Sequence, residues 1–173
     1  EERNLPAFTE VSLRIPAKLY IRQGDTQKVT IEAGSDVLKE IITDINDRSL
    51  VIRFPAKNYL WDRRDPGKIV IHITIPEITG LNLSGSGDIL GDGVISTLIM
   101  DLNVSGSGNI DLPGLTAERV KANISGSGNI ILKGDKPVSQ FSGAVAGSGN
   151  IKAENIEAED VKVTIAGSGN CSI

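Results

Sequence analysis

One motif, repeated five times at an almost constant interval, constrains this chain more than any other feature. Ser84-Gly-Ser-Gly-Asp88-Ile89 returns as Ser105 to Ile110 and Ser125 to Ile130 with Asn in the fifth place, and again as Ala146 to Ile151 and Ala166 to Cys171. The starts lie 21, 20, 21 and 20 residues apart. A flexible Gly/Ser linker has no reason to hold register, so the interval marks a structural unit.

The residues around the motif say what kind of unit it is. Apolar residues and glycines fall on alternate positions: Leu102, Val104, Gly106, Gly108, Ile110 and Leu112 in the second copy, Ala122, Ile124, Gly126, Gly128, Ile130 and Leu132 in the third. The intervening positions are polar, as in Asp101, Asn103, Ser105, Ser107 and Asn109. A period of two is that of a strand with one buried and one wet face. Twenty residues with one apolar face cannot bury it alone, whereas copies stacked at roughly 4.8 Å place like over like and build a continuous core. Turn-rich stretches such as Leu112-Pro113-Gly114 return the chain, with Val94, Leu115, Val138 and Ile156 expected to add smaller apolar contacts. Nineteen glycines and only six aromatics agree with short strands and tight turns. Two inward glycines per copy have two readings, a coil too thin for a side chain or a corner needing backbone angles that glycine takes cheaply.

Residues 1–80 lack the motif but keep the strand pattern, at Val11, Leu13 and Ile15, at Leu19 and Ile21, at Val29 and Ile31, at Leu50, Ile52 and Phe54, and at Ile69 to Ile75 before Pro76. Ser35 or Asp36 is placed to cap a short helix running to about Thr43. The expected fold is therefore all-β: a parallel β-helix, or β-solenoid, over residues 81–173, with residues 1–80 as a β-rich N-terminal cap holding one short helix, the two forming one continuous unit.

Stacking should align Asp88, Asn109, Asn129, Asn150 and Asn170 into a hydrogen-bonded ladder that stabilises the coils. The neighbouring Ser107, Ser127, Ser148 and Ser168 form a hydroxyl strip suited to a glycan. Residues 56–68 interrupt the alternation and bring together Tyr59, Trp61, Arg63 and Arg64, types favoured in contacts with partners and sugars. These two groups are the candidate ligand-binding residues.

Other chemistries find little support. The net charge is −4 with no basic stripe, which argues against nucleic acid. One cysteine, Cys171, makes neither an internal disulfide nor a metal cluster, and its inward place marks it as a small core residue. Four of the five motif copies carry neutral Asn where calcium would want carboxylates. His72, the only histidine, has no nucleophile nearby in sequence. No catalytic residues, metal or cofactor are assigned. No apolar stretch is long enough to span a membrane, and the opening Glu1-Glu2-Arg3 reads as a processed or trimmed chain without its signal segment.

With five GSG(N/D) copies, the strand-rich Val11 to Phe54 segment and the Lys68 to Pro76 lead-in, the chain resembles the bacterial head GIN domain family of auto-transporter adhesins. The Gly-Asn-Ile signature stands intact at Gly108 to Ile110, Gly128 to Ile130 and Gly149 to Ile151, with Asp88 and Cys171 as departures. The resemblance implies a β-helical, extracytoplasmic protein of Bacteroidetes-type bacteria and carries no catalytic residues. The expected function is a non-enzymatic surface module binding a glycan or protein. The alternatives are a carbohydrate-active enzyme on the same scaffold and a purely structural envelope scaffold. The fifth copy stops at Ile173, two residues past its motif, so the expectation is either that the native chain continues or that this edge meets a partner, with self-association as one form of it.

Overall fold

The computed structural model describes residues 1–56 and 65–173. Each motif copy sits where a strand of one sheet hands over to a strand of another. The strand before the motif is β8 (Gly80–Gly85), β10 (Ile95–Gly106), β12 (Leu115–Gly126), β14 (Val138–Gly147) or β16 (Ala158–Gly167). The strand after it is β9 (Asp88–Gly91), β11 (Asn109–Leu112), β13 (Asn129–Lys133), β15 (Asn150–Glu154) or β17 (Asn170–Ser172). Like pairs with like, parallel and in register: Asn103 lies beside Asn123, and Ile110 beside Ile130. The result is the β-solenoid that the repeat predicts.

The N-terminal segment joins the same stack. It supplies β1 (Glu2–Arg3), β2 (Glu10–Leu13), β3 (Lys18–Gln23), β4 (Lys28–Glu32), α1 (Ser35–Glu40), β5 (Ile42–Asn46), β6 (Ser49–Arg53) and β7 (Val70–Ile75). Among the described residues the long-strand sheet runs β16-β14-β12-β10-β8-β2-β6-β5, and the short-strand sheet β1-β4-β7-β3-β9-β11-β13-β15-β17. β2 and β3 thus form a coil between β8–β9 and β6–β7, all parallel. Antiparallel strands finish that end, β5 on β6 and β4 on β7 with β1 beyond it.

The space between the sheets is filled by the residues that the alternation marks. Leu81, Leu102 and Ala122 stack in one column and Ile89, Ile110, Ile130 and Ile151 in another, all fully buried. Full burial of a Leu or Ile side chain is favourable by roughly 1.5–3 kcal/mol, so these columns supply much of the driving force. Size is traded between neighbours. Phe141 is buried where the coils before it carry Val120 and Met100, and Gly143 beside it leaves the room: an added Cβ would lie 3.3 Å from the Phe141 ring.

Both readings of the two motif glycines apply. Gly126 turns the corner with φ +126°, a left-handed angle that costs other residues roughly 1–3 kcal/mol, and a Cβ there would also lie 2.5 Å from the Gly106 carbonyl oxygen. Gly128 has a buried position facing the coil before it, where a Cβ would overlap the Gly108 carbonyl oxygen and press on Val104. Their backbones also bond coil to coil, since Ser127 N and Gly128 N both donate to the Gly106 carbonyl, at 2.9 and 3.0 Å.

Three details depart from the sequence reading. The helix is shorter than expected, because Gly34, not Ser35 or Asp36, occupies its N-cap, and it stops at Glu40. Ile42 and Thr43 belong instead to β5, whose pairing with β6 outweighs their helical spacing. Val94 is 68 % exposed, and Ile95 takes the inward place. The long strands bend midway, where two successive residues face out, Leu98 and Ile99 in β10 and Glu118 and Arg119 in β12, and this shifts the inward parity. At the far end, Val161, Val163 and Ile165 of β16 are 41–52 % exposed.

Candidate functional site: the outer face of the long-strand sheet

Parallel in-register stacking turns each outward position of a repeat into a row along the solenoid. On the long-strand sheet one row reads Ser12, Asn82, Asn103, Asn123, Ala144 and Thr164, and the next Ser84, Ser105, Ser125, Ala146 and Ala166. Small side chains over so many strands leave a shallow groove of about 720 Å³. Its rim at the capped end holds Arg14, Asn46 and Ser49, and Arg14 is the only charged side chain lining it among the described residues. Arg14 Nε donates to Ser12 Oγ at 3.4 Å, which orients the guanidinium along the row.

The asparagines of this row form a ladder. Asn103 Nδ2 donates to Asn82 Oδ1 at 2.8 Å and to Asp101 Oδ1 at 3.1 Å, and Asn123 Nδ2 donates to Asn103 Oδ1 at 3.0 Å. Asn103 spends both of its N–H donors in these bonds, whereas Asn123 keeps one N–H for an outside partner, and each amide oxygen keeps a lone pair. This ladder is absent from the sequence reading, although its signal is present: Asn stands two places before the motif in three successive copies. The motif itself drew attention away from it.

The motif residues Asp88, Asn109, Asn129, Asn150 and Asn170 form another ladder, on the short-strand sheet. Each Nδ2 donates to the side-chain oxygen one coil earlier, at 2.9–3.1 Å. Asn109 N and Asn150 N add bonds at 3.2 Å to Asp88 and Asn129. Asp88 heads the series, and its carboxylate, an acceptor only, suits a place from which no further donation is made.

Ser107, Ser127, Ser148 and Ser168 are exposed on the corner between the sheets, apart from the groove. Tyr59, Trp61, Arg63 and Arg64 lie outside the described residues. His72 stacks on Tyr20 on the other sheet, with centroids 5.3 Å apart and planes 12° from parallel. Cys171 packs partly buried against the core, and burial pushes its thiol pKa up.

Beside the groove, nearer the strand bend, the same face carries a cleft of about 540 Å³. Arg119, Gln140 and Asp160 share one row there, and Lys121, Ser142 and Lys162 the next. Chemically the face offers amides, hydroxyls and cations. Among the described residues the groove lining holds no carboxylate, thiol or imidazole, and no three His, Cys, Asp or Glu side chains converge as a metal site.

The comparisons with known proteins agree with this architecture. The family model described as "Putative auto-transporter adhesin, head GIN domain" matches residues 7–173. The chain belongs to the head GIN domain family. Several solved structures share its shape at low identity. A putative adhesin from Bacteroides fragilis superposes with a TM-score of 0.75 at 17 % identity, over 99 % of this chain and 94 % of that one. A protein from Parabacteroides distasonis described as a putative lipid binding protein gives 0.72 at 18 %, over 100 % and 95 %. A putative adhesin from Parabacteroides merdae gives 0.59 at 15 %, over 100 % and 95 %. No curated protein matches the sequence.

Proposed function

We propose that this head GIN chain is a non-enzymatic binding module that works outside the cytoplasm and holds an extended glycan along the outer face of its long-strand sheet. The observation that carries the reading is the groove itself, about 720 Å³ of concave surface lined at regular intervals by Asn and Ser and by a single charged group, Arg14. A polymer of similar units meets the same amides and hydroxyls once per coil, so many weak contacts add along its length. The alternative of a glycan-cleaving enzyme needs two carboxylates facing one another across the ligand, and among the described residues the groove lining supplies none. The family's adhesin description supports the extracytoplasmic setting. The exposed corner serines and the residues Tyr59, Trp61, Arg63 and Arg64 are proposed as outlying contacts.

The test is a glycan-array screen of wild type beside Ala146→Trp, which fills the groove from an exposed position, and Trp61→Ala. Loss of the captured glycans by Ala146→Trp, with its melting temperature unchanged, supports the reading. Capture unaffected by Ala146→Trp refutes it, and capture unaffected by Trp61→Ala removes Trp61 from the site.

A further inference from the structure

Within that reading, we infer that the glycan is acidic, its carboxylates or sulfates held by Arg119, Lys121 and Lys162. The three cations belong to one cleft, and among the described residues none of them is in an ion pair. Burial plays no part in keeping them apart from carboxylates, for all three are exposed. Among the described residues Asp160 is the one carboxylate lining the cleft, and Asp101 lies one strand from Lys121, where it accepts from Asn103. The cleft therefore has three positive charges against one negative, in a chain whose net charge is −4. A local excess of this kind draws an anion to this part of the surface and away from the rest.

The cleft is continuous with the groove by construction of the strands. Lys121 precedes Asn123 by two residues on β12, and Lys162 precedes Thr164 by two on β16, so each cation and its groove neighbour point out of the same face. A saccharide ring over the Asn and Ser rows thus brings a ring substituent within reach of the cations. Lys121 and Lys162 flank Ser142 in register, two strand spacings apart, or roughly 10 Å. That interval suits a polymer in which an acidic sugar alternates with a neutral one.

The same spacing argues against nucleic acid. Duplex DNA presents a charge about every 1.7 Å of its axis and calls for a continuous basic track. Single strands are held largely by base stacking on aromatics, and the only aromatic of this cleft, Phe141, is buried.

The experiment is a titration of the whole chain with three soluble polymers, polygalacturonate for carboxylate, dextran sulfate for sulfate and dextran as neutral reference, at low and high salt. Polygalacturonate or dextran sulfate should bind more tightly than dextran, and salt should weaken that binding. Lys121→Ala/Lys162→Ala should lose roughly threefold to tenfold in affinity for the acidic polymers, the range for two exposed ionic contacts. Lys133→Ala, which removes a cation paired with Glu154 elsewhere on the chain, should change nothing. Preference between the two acidic polymers then assigns the acidic group. Dextran bound as tightly as either, and blocked by Ala146→Trp, overturns the acidic assignment and leaves the glycan-binding groove standing. Binding of none of the three by wild type overturns the assignment, and the glycan array then decides the groove separately. Tighter binding to duplex DNA than to either acidic polymer also overturns it.

Discussion

The coil formed by β2 and β3 and the coil formed by β12 and β13 occupy the same two sheets, yet they turn the corner between them by different means. In the repeat the corner is Ser125-Gly-Ser-Gly128, with a left-handed glycine and a second glycine pressed on the coil before it. In the N-terminal coil Ile15, Pro16 and Ala17 make the turn without glycine, closed by Ala17 N donating to the Ile15 carbonyl at 2.8 Å. The two solutions meet at Gly87, whose missing Cβ would lie 2.7 Å from the Ala17 carbonyl oxygen. Parallel strands and an alternating apolar face are thus what the fold requires. The glycine motif is one way to stack many corners directly on one another, and a coil that has an unlike neighbour is free of it.

The sharpest way to break the comparison is at the second glycine. Gly128→Ala should destabilise the chain by about 3 kcal/mol or more, because the overlap is with backbone on one side and buried Val104 on the other. Urea unfolding measures it, and a cost below 1 kcal/mol would mean that the coils can spread at the corner. Gly126→Ala should cost about 2–3 kcal/mol, from its backbone angle together with a Cβ that would lie 2.5 Å from the Gly106 carbonyl oxygen. Asn129→Ala removes a residue that donates to Asn109 and accepts twice from Asn150, and about 1–2 kcal/mol is expected in the same assay. At the glycine-free corner, Pro16→Ala should cost 1 kcal/mol or less, mostly through greater freedom of the unfolded chain. A larger loss there than at Gly128 would reverse the account.

The smallest effect concerns the last coil. Because burial raises the pKa of the Cys171 thiol, less thiolate is present at a given pH than in a free thiol. Its alkylation should be slower in the folded chain than in urea, and its pH midpoint higher. The thiol's contribution to stability is fully present below its unfolded pKa and is lost as pH rises through the raised folded value. Equal midpoints in the folded and unfolded chain would place the thiol in water.

Periodicity made most of the core legible. Leu102, Val104, Ile110 and Leu112 fall where the period of two puts them, because one buried face selects that pattern strongly. The placing of β2 and β3 between β6–β7 and β8–β9 was not legible, since the apolar alternation of a strand does not say which strand lies beside it. The bend in the long strands was hidden for a related reason, being a change of parity rather than of composition, and Val94 was misjudged on that account. For the candidate site, the sequence points to the motif Asn and the second motif Ser, whereas the groove is lined by the Asn two places before the motif and by its first Ser, and the register brings Lys162 of β16 beside Arg119 and Lys121 of β12.

The two asparagine ladders, on opposite sheets and otherwise alike, offer the most direct test of the claim that the long-strand sheet carries the ligand. Side-chain amide resonances should be followed while a captured glycan is titrated into the protein. The account predicts that the Asn82, Asn103 and Asn123 signals shift with saturation while those of Asn109, Asn129 and Asn150 stay in place. Shifts confined to the second set, or absent from both while binding is seen by calorimetry, would contradict it.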